Sequence, residues 1–117
     1  WNRKVEIEGM NPIGECLRNS SEAFIDRAVA DPRATKQIPD LAVRGSMLGN
    51  RFLDDMNKRL EETKYVAGSN FSMADINLYV FLDFASWVKV IPNENHKNII
   101  KWKELVSSRE SAKVFEN

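Results

Sequence analysis

Apolar positions along the chain recur at intervals of three and four, and no stretch alternates apolar and polar in the manner of a strand. Trp1, Val5, Met10, Ile13 and Leu17 keep the helical interval through Arg18, while Arg3, Lys4, Glu6 and Glu8 occupy other positions. The spacing predicts one long amphipathic helix. Pro12 lies inside it; lacking an amide hydrogen and crowding the carbonyl four residues back, it should kink the helix or open it locally. Ser21 to Val29 is expected either to continue this helix at an angle or to begin another. Asp31-Pro32 and Gln37-Ile38-Pro39-Asp40 then read as a turn-rich connector.

From Arg44 to Thr63, Leu48, Phe52, Leu53, Met56 and Leu60 share one side, and Arg51, Asp54, Asp55, Lys58, Arg59, Glu61 and Glu62 fall mostly on the other. That is a second amphipathic helix. Tyr65-Val66-Ala67-Gly68 follows as an apolar loop closed by a residue that accepts left-handed backbone angles. The next stretch, N-F-S-M-A-D-I, carries start punctuation. Ser72 as N-cap can accept from the amide of Asp75, the Asp75 carboxylate can reach back to the amide of Ser72, and Phe71 and Ile76 hold the positions of a hydrophobic staple. Asp75 also sets negative charge where the helix dipole favours it, and the cap should contribute about 1 kcal/mol. The helix launched here, Met73 to about Val90, is apolar nearly all round and belongs at the centre of a bundle. Pro92 ends it. Ile99, Ile100, Trp102, Leu105 and Val106 describe a further helix, and Ala112 to Phe115 a short last one. The fold class is all-α, a bundle of about five helices.

Composition narrows the function more than it defines it. With 117 residues the chain makes one domain, large enough for a core without disulfides or metal. Seventeen basic and seventeen acidic residues cancel, so no bulk field attracts nucleic acid or anionic lipid. One cysteine, Cys16, cannot form an internal bridge, and one histidine, His96, cannot supply a histidine metal set. The uncharged run around Ile76 to Leu82 is too short to cross a bilayer, and no signal segment opens the chain, so a soluble protein of the reducing cytoplasm is expected. Because Trp1 stands at the start, already inside an amphipathic pattern, further residues are expected before it.

Self-contained chemistry is missing. A nucleophile triad, a cysteine pair, a phosphate loop and a metal-binding histidine pair are all absent, and the glycines at 9, 14, 45, 49 and 68 are scattered. Ser72 and Asp75 have no histidine nearby to complete a catalytic set, so structure outweighs catalysis there. Cys16 reads as a small buried hydrophobe, His96 as a solvated residue at a helix start, and Asp54-Asp55 and Glu61-Glu62 as a solvated face rather than metal ligands. In Lys101-Trp102-Lys103 the tryptophan keeps the apolar period, which favours core packing over a nucleic-acid patch. Asp83 stands in the middle of the apolar helix, facing either a wet cleft or a polar group of a neighbour.

The run R-F-L-D-D-M-N-K-R-L-E-E-T-K-Y-V-A-G-S-N-F-S-M-A-D-I, with the long apolar helix after it, Pro92, Trp102 and Ser108-Arg109-Glu110-Ser111, closely resembles the helical C-terminal domain of glutathione transferases. The likeness covers essentially the whole chain; the S-x-A-D element is its most specific part, the opening W-N-R-K-V-E supports it, and Glu110 replaces the usual proline. The resemblance implies a thioredoxin-like N-terminal domain, absent from residues 1–117, that binds glutathione and activates its thiol. It implies no catalytic residue and no metal in this chain, no tightly bound cofactor, and glutathione as the co-substrate of the full-length parent. Met10 resembles the residue facing the cleft between domains, Phe84 a substrate-pocket aromatic with Trp87 less closely matched, and Arg3 a position that approaches glutathione across a dimer. Plain core packing is the competing reading of Met10 and Phe84. The implied partners are the N-terminal domain, a second copy of the chain and small hydrophobic electrophiles, with no nucleic acid and no membrane. The fragment alone is expected to be inactive. The alternative is a non-catalytic interaction module of the same fold, as in proteins resembling the elongation factor gamma subunit or synthetase-associated factors.

Overall fold

A computed structural model describes residues 1–109. The chain opens on α1 (Asn2–Lys4), passes without interruption through a π-helical segment (Val5–Met10), and continues as α2 (Asn11–Ser20). These three pieces form one rod. The local opening expected at Pro12 takes the form of this π segment: the Asn11 amide donates to the Glu6 carbonyl five residues back. Met10 and Asn11 keep right-handed helical angles, so the rod is opened there without being broken.

Ser21 turns to an extended conformation (ψ 138°) and its hydroxyl accepts from the Ala23 amide, leaving only a short 3-10 turn, Glu22–Phe24. The helix expected from Ser21 to Val29 does not form. Asp26 adopts a positive φ of 60°, and the chain doubles back so that the Thr35 amide donates to the Asp26 carbonyl at 2.9 Å. Side chains at the end of the rod fasten this long loop. Arg18 Nε donates to the Ala28 carbonyl (3.1 Å), Asn19 Oδ1 accepts from the Ile38 amide (2.9 Å), and Gln37 Nε2 donates to the Arg18 and Ser21 carbonyls (3.0 and 2.7 Å). Carbonyls left open at the end of α2 thereby find partners.

α3 (Pro39–Glu62) begins more than a turn before Arg44, because the Pro39-Asp40 pair read as connector is a helix start: proline in the first turn needs no amide hydrogen and aspartate suits the dipole. α2 lies directly on α3, and Gly45 permits the approach. A Cβ at Gly45 would collide with the Pro12 carbonyl oxygen and stand 2.9 Å from the Cys16 amide nitrogen. After the loop closed by Gly68 (φ 152°) comes α4 (Met73–Ser86). The reciprocal capping box between Ser72 and Asp75 is complete, as expected.

α4 stops short of Val90. The Lys89 amide donates to the Ser86 carbonyl (3.1 Å) and the Val90 amide to the Ala85 carbonyl (3.0 Å), with Lys89 at φ 63°. This is the two-bond left-handed helix termination usually built on glycine. Val90 is nevertheless fully buried, which is why the apolar pattern ran through it. α5 (Lys97–Ser107) completes the bundle. Its first turn is capped from α3: Asn57 Oδ1 accepts from the Asn98 and Ile99 amides at 2.9 and 3.2 Å. The core joins the rod (Val5, Ile13), α3 (Phe52, Leu53, Met56), α4 (Leu78, Phe81) and α5 (Ile99, Trp102), with Phe52 and Phe81 edge to face at 5.0 Å. Among the described residues there is no strand, and no helix is long and apolar enough to cross a membrane. The short helix expected over Ala112 to Phe115, with Glu110 and Ser111, lies outside the described residues.

Candidate functional site

The rod and α4 do not close completely upon each other. Asn2, Val5, Glu6 and Met10 recur at helical spacing on one face of the rod, Asn77 and Val80 answer them from α4, and an open cleft of about 250 Å³ lies between. Fully buried Val5 belongs to the core beneath it, and Met10 is half-buried. The walls are mainly aliphatic, with two carboxamides and one carboxyl group. None of these six side chains is a nucleophile, a thiol or an imidazole. Such a cleft can hold an apolar body and orient a polar edge.

Of the residues singled out in the sequence, Met10 lines this cleft. Phe84 lies farther along α4, half-buried against the core, and pairs with Trp87 at a ring distance of 5.2 Å. Trp87 is 64 % exposed, just past the end of α4. Arg3 is exposed in α1. Asn77 and Val80 were not singled out. A signal for them existed: Asp75, Leu78, Phe81, Leu82 and Ala85 form the buried side of α4, so positions 77, 80 and 84 fall along its half-covered margin.

Asp75 does more than cap. Completely buried, it accepts through Oδ2 from the Ser72 amide (3.0 Å), and through Oδ1 from the Val66 amide (3.0 Å) and the Trp102 indole nitrogen (2.8 Å). One carboxylate thus ties the 65–68 loop and α5 to the start of α4. Trp102 is core, as expected, and Lys101 and Lys103 beside it are exposed. Asp83 is exposed, so the α4 surface there is wet and the charge needs no buried partner.

His96 requires a correction. It is buried, not solvated, as the residue preceding α5, with Nδ1 accepting from the Asn93 amide at 3.0 Å and Nε2 against Asp54 Oδ1 at 2.7 Å. Cys16 is buried as expected; burial pushes its thiol above the ordinary value, partly offset by a hydrogen bond with Ser20. Asp55, Glu61 and Glu62 are exposed, and among the described residues no group of acidic, cysteine or histidine side chains is arranged to hold a metal.

The chain is thus an all-helical bundle with a capping box at its apolar helix and an aliphatic cleft beside it. Residues 34–110 match the family model of the glutathione S-transferase C-terminal domain, and the chain belongs to that family. Solved structures agree. A glutathione S-transferase domain-containing protein of Marinobacter aquaeolei is 27 % identical with a TM-score of 0.81, over 95 % of this chain and 52 % of its own. Gtt2 of Saccharomyces cerevisiae is 25 % identical with a TM-score of 0.83, over 96 % and 51 %. A Gtt2-class glutathione S-transferase of Vibrio parahaemolyticus is 27 % identical with a TM-score of 0.71, over 96 % and 47 %. The chain therefore spans about half the length of these proteins. No curated protein sequence matches it.

Proposed function

We infer that this chain is the co-substrate half of a glutathione S-transferase: its cleft supplies the apolar wall against which an electrophile rests, and its surface contributes to a homodimer. The thiolate attack on an electrophilic carbon, sulfur or peroxide oxygen depends on a thioredoxin-like domain that binds glutathione as co-substrate and activates its thiol. The supporting observation is the cleft between rod and α4. Its volume of about 250 Å³ falls below the roughly 300–1,000 Å³ of complete small-molecule sites, as one wall of a two-part site should. Its lack of any nucleophile or imidazole agrees with chemistry supplied from elsewhere. Within this reading Met10 meets the electrophile, Phe84 and Trp87 extend the apolar surface beyond it, and Arg3 approaches glutathione bound to the partner subunit.

The test compares conjugation of glutathione to an aromatic halide by residues 1–117 alone and by the same domain joined to a thioredoxin-like glutathione-binding domain. The isolated chain should be inactive. In the joined protein Met10→Ala should raise KM for the halide and leave KM for glutathione unchanged. Turnover by the isolated chain, or an equal rise in both constants, would overturn the assignment.

A further inference from the structure

The cleft between the rod and α4 has mainly aliphatic walls and carries one uncompensated charge. Val5, Met10 and Val80 supply the apolar surface, and Asn2, Glu6 and Asn77 the polar edge. None of these three polar side chains makes a hydrogen bond or an ion pair among the described residues. Carboxamides elsewhere in the bundle are engaged: those of Asn19, Gln37, Asn57 and Asn98 all bond to backbone groups. No lysine or arginine lines the cleft. Lys4, close to Glu6 in sequence, pairs instead with Glu8 (3.7 Å) and stacks over the Trp1 ring (5.0 Å). Arg3 beside it is exposed and makes no ion pair with Glu6. The Glu6 carboxylate therefore stands in the cleft without a counter-ion.

We propose that Glu6 is the charge selector of this cleft: it favours co-substrates whose apolar body carries a cation, or an N–H or O–H donor, at one edge, and it turns away carboxylates. The inference rests on the reading of the cleft as the electrophile's wall. A carboxamide offers both donors and an acceptor, so Asn2 and Asn77 serve ligands of either sign; a carboxylate only accepts. Discrimination by charge therefore falls to Glu6. An anionic group brought beside it meets like charge with no cation in the lining to offset the repulsion, whereas an ammonium group becomes the counter-ion that no residue supplies. Glu6 and Met10 stand four positions apart on the face of the rod that meets α4, so a ring resting on Met10 and Val80 can turn one substituent toward Glu6 and Asn77. Glu6 is exposed, which keeps the preference modest and sensitive to salt. A second groove, beside α5, provides an internal reference: its lining holds one charge of each sign, Lys103 and Glu104, beside Ile91 and Ile100.

Titration of residues 1–117 with three probes of one shape, 4-chlorobenzylammonium, 4-chlorobenzyl alcohol and 4-chlorobenzoate, followed by nuclear magnetic resonance of the methyl groups, tests this at neutral pH. The Met10 and Val80 methyls report the cleft, and those of Ile91 and Ile100 the reference groove. At about 0.01 M salt the ammonium probe should bind the cleft about two- to fivefold more tightly than the alcohol, the worth of one exposed charge pair, and the carboxylate should bind more weakly than the alcohol by a similar factor. At about 1 M salt the three affinities should converge. Glu6→Gln should make them converge at low salt as well, Glu6→Lys should reverse their order, and neither change should alter the order in the reference groove. An equal or tighter hold on the carboxylate by the unaltered chain, or a preference that survives Glu6→Gln, would overturn the selector and leave the apolar wall standing. Met10 and Val80 methyls that respond to none of the probes would overturn the wall and the selector together.

Discussion

Asp75→Asn separates a local cap from a tertiary anchor. If Asp75 served only the capping box, its loss should match that of Ser72→Ala, about 1 kcal/mol. The structure places three N–H donors on its two oxygens and leaves no part of the residue in water. An asparagine has one acceptor oxygen. Set toward Val66 and Trp102, it turns its NH2 against the Ser72 amide; set toward Ser72, it turns the NH2 against two buried donors. Either way at least one hydrogen bond to a charged acceptor, worth about 1.5–3 kcal/mol, is lost outright, and the survivors weaken to neutral bonds worth about 1 kcal/mol each. Relief from burying a charge offsets part of this. The expected net loss is about 3 kcal/mol, against a total stability of about 5–15 kcal/mol for a domain of this kind. Urea unfolding followed by far-ultraviolet circular dichroism measures both variants on the same scale. Equal midpoints for Asp75→Asn and Ser72→Ala, at an unchanged m value, would refute the anchoring role and leave only the cap.

Gly45→Ala gains helix propensity of about 1 kcal/mol, but its methyl meets the Pro12 carbonyl, a backbone atom that cannot rotate away, so thermal unfolding should show a net loss of about 1–3 kcal/mol. Lys89→Gly should do the opposite: relieving the positive φ at that site outweighs the greater chain entropy of glycine, and the melting temperature should rise by the equivalent of about 0.5–1 kcal/mol. Because burial raises the Cys16 thiol above its ordinary value, its thiolate fraction at neutral pH is smaller than that of a free cysteine. Maleimide should therefore label it slowly in the native protein and rapidly in urea, and equal rates would show that the α2 face is open.

Local grammar was legible where it is written in adjacent residues. Ser72 and Asp75 announced the start of α4 because a capping box spans four residues and needs no tertiary help. The helical interval of the apolar residues likewise placed the rod, α3 and α5, and Pro12 marked where the rod opens. Pro39-Asp40 was equally legible as a helix start but was masked by its likeness to a turn. Ser21 to Val29 could not be judged from its own residues, since Arg18, Asn19 and Gln37 stabilise the loop from outside it. The end of α4 at a lysine in a left-handed conformation had no sequence mark, because glycine is the usual signal there.

The amino-acid pattern alone therefore determined an all-helical bundle and the start of its central helix, because helical period and capping depend on neighbours within a turn or two; the family was indicated by the resemblance of the Arg51 to Ile76 run and shown by the family-model match. Only the tertiary structure decided that His96 is buried, that Asp83 is not, and that Asn77 and Val80 face Met10 across a cleft. Each of those facts depends on which residue arrives from far along the chain: Asp54 stands 42 positions from His96, and Trp102 reaches Asp75 across 27. Periodicity states that a helix has a buried side; packing chooses the partner that covers it and the stretch that stays open.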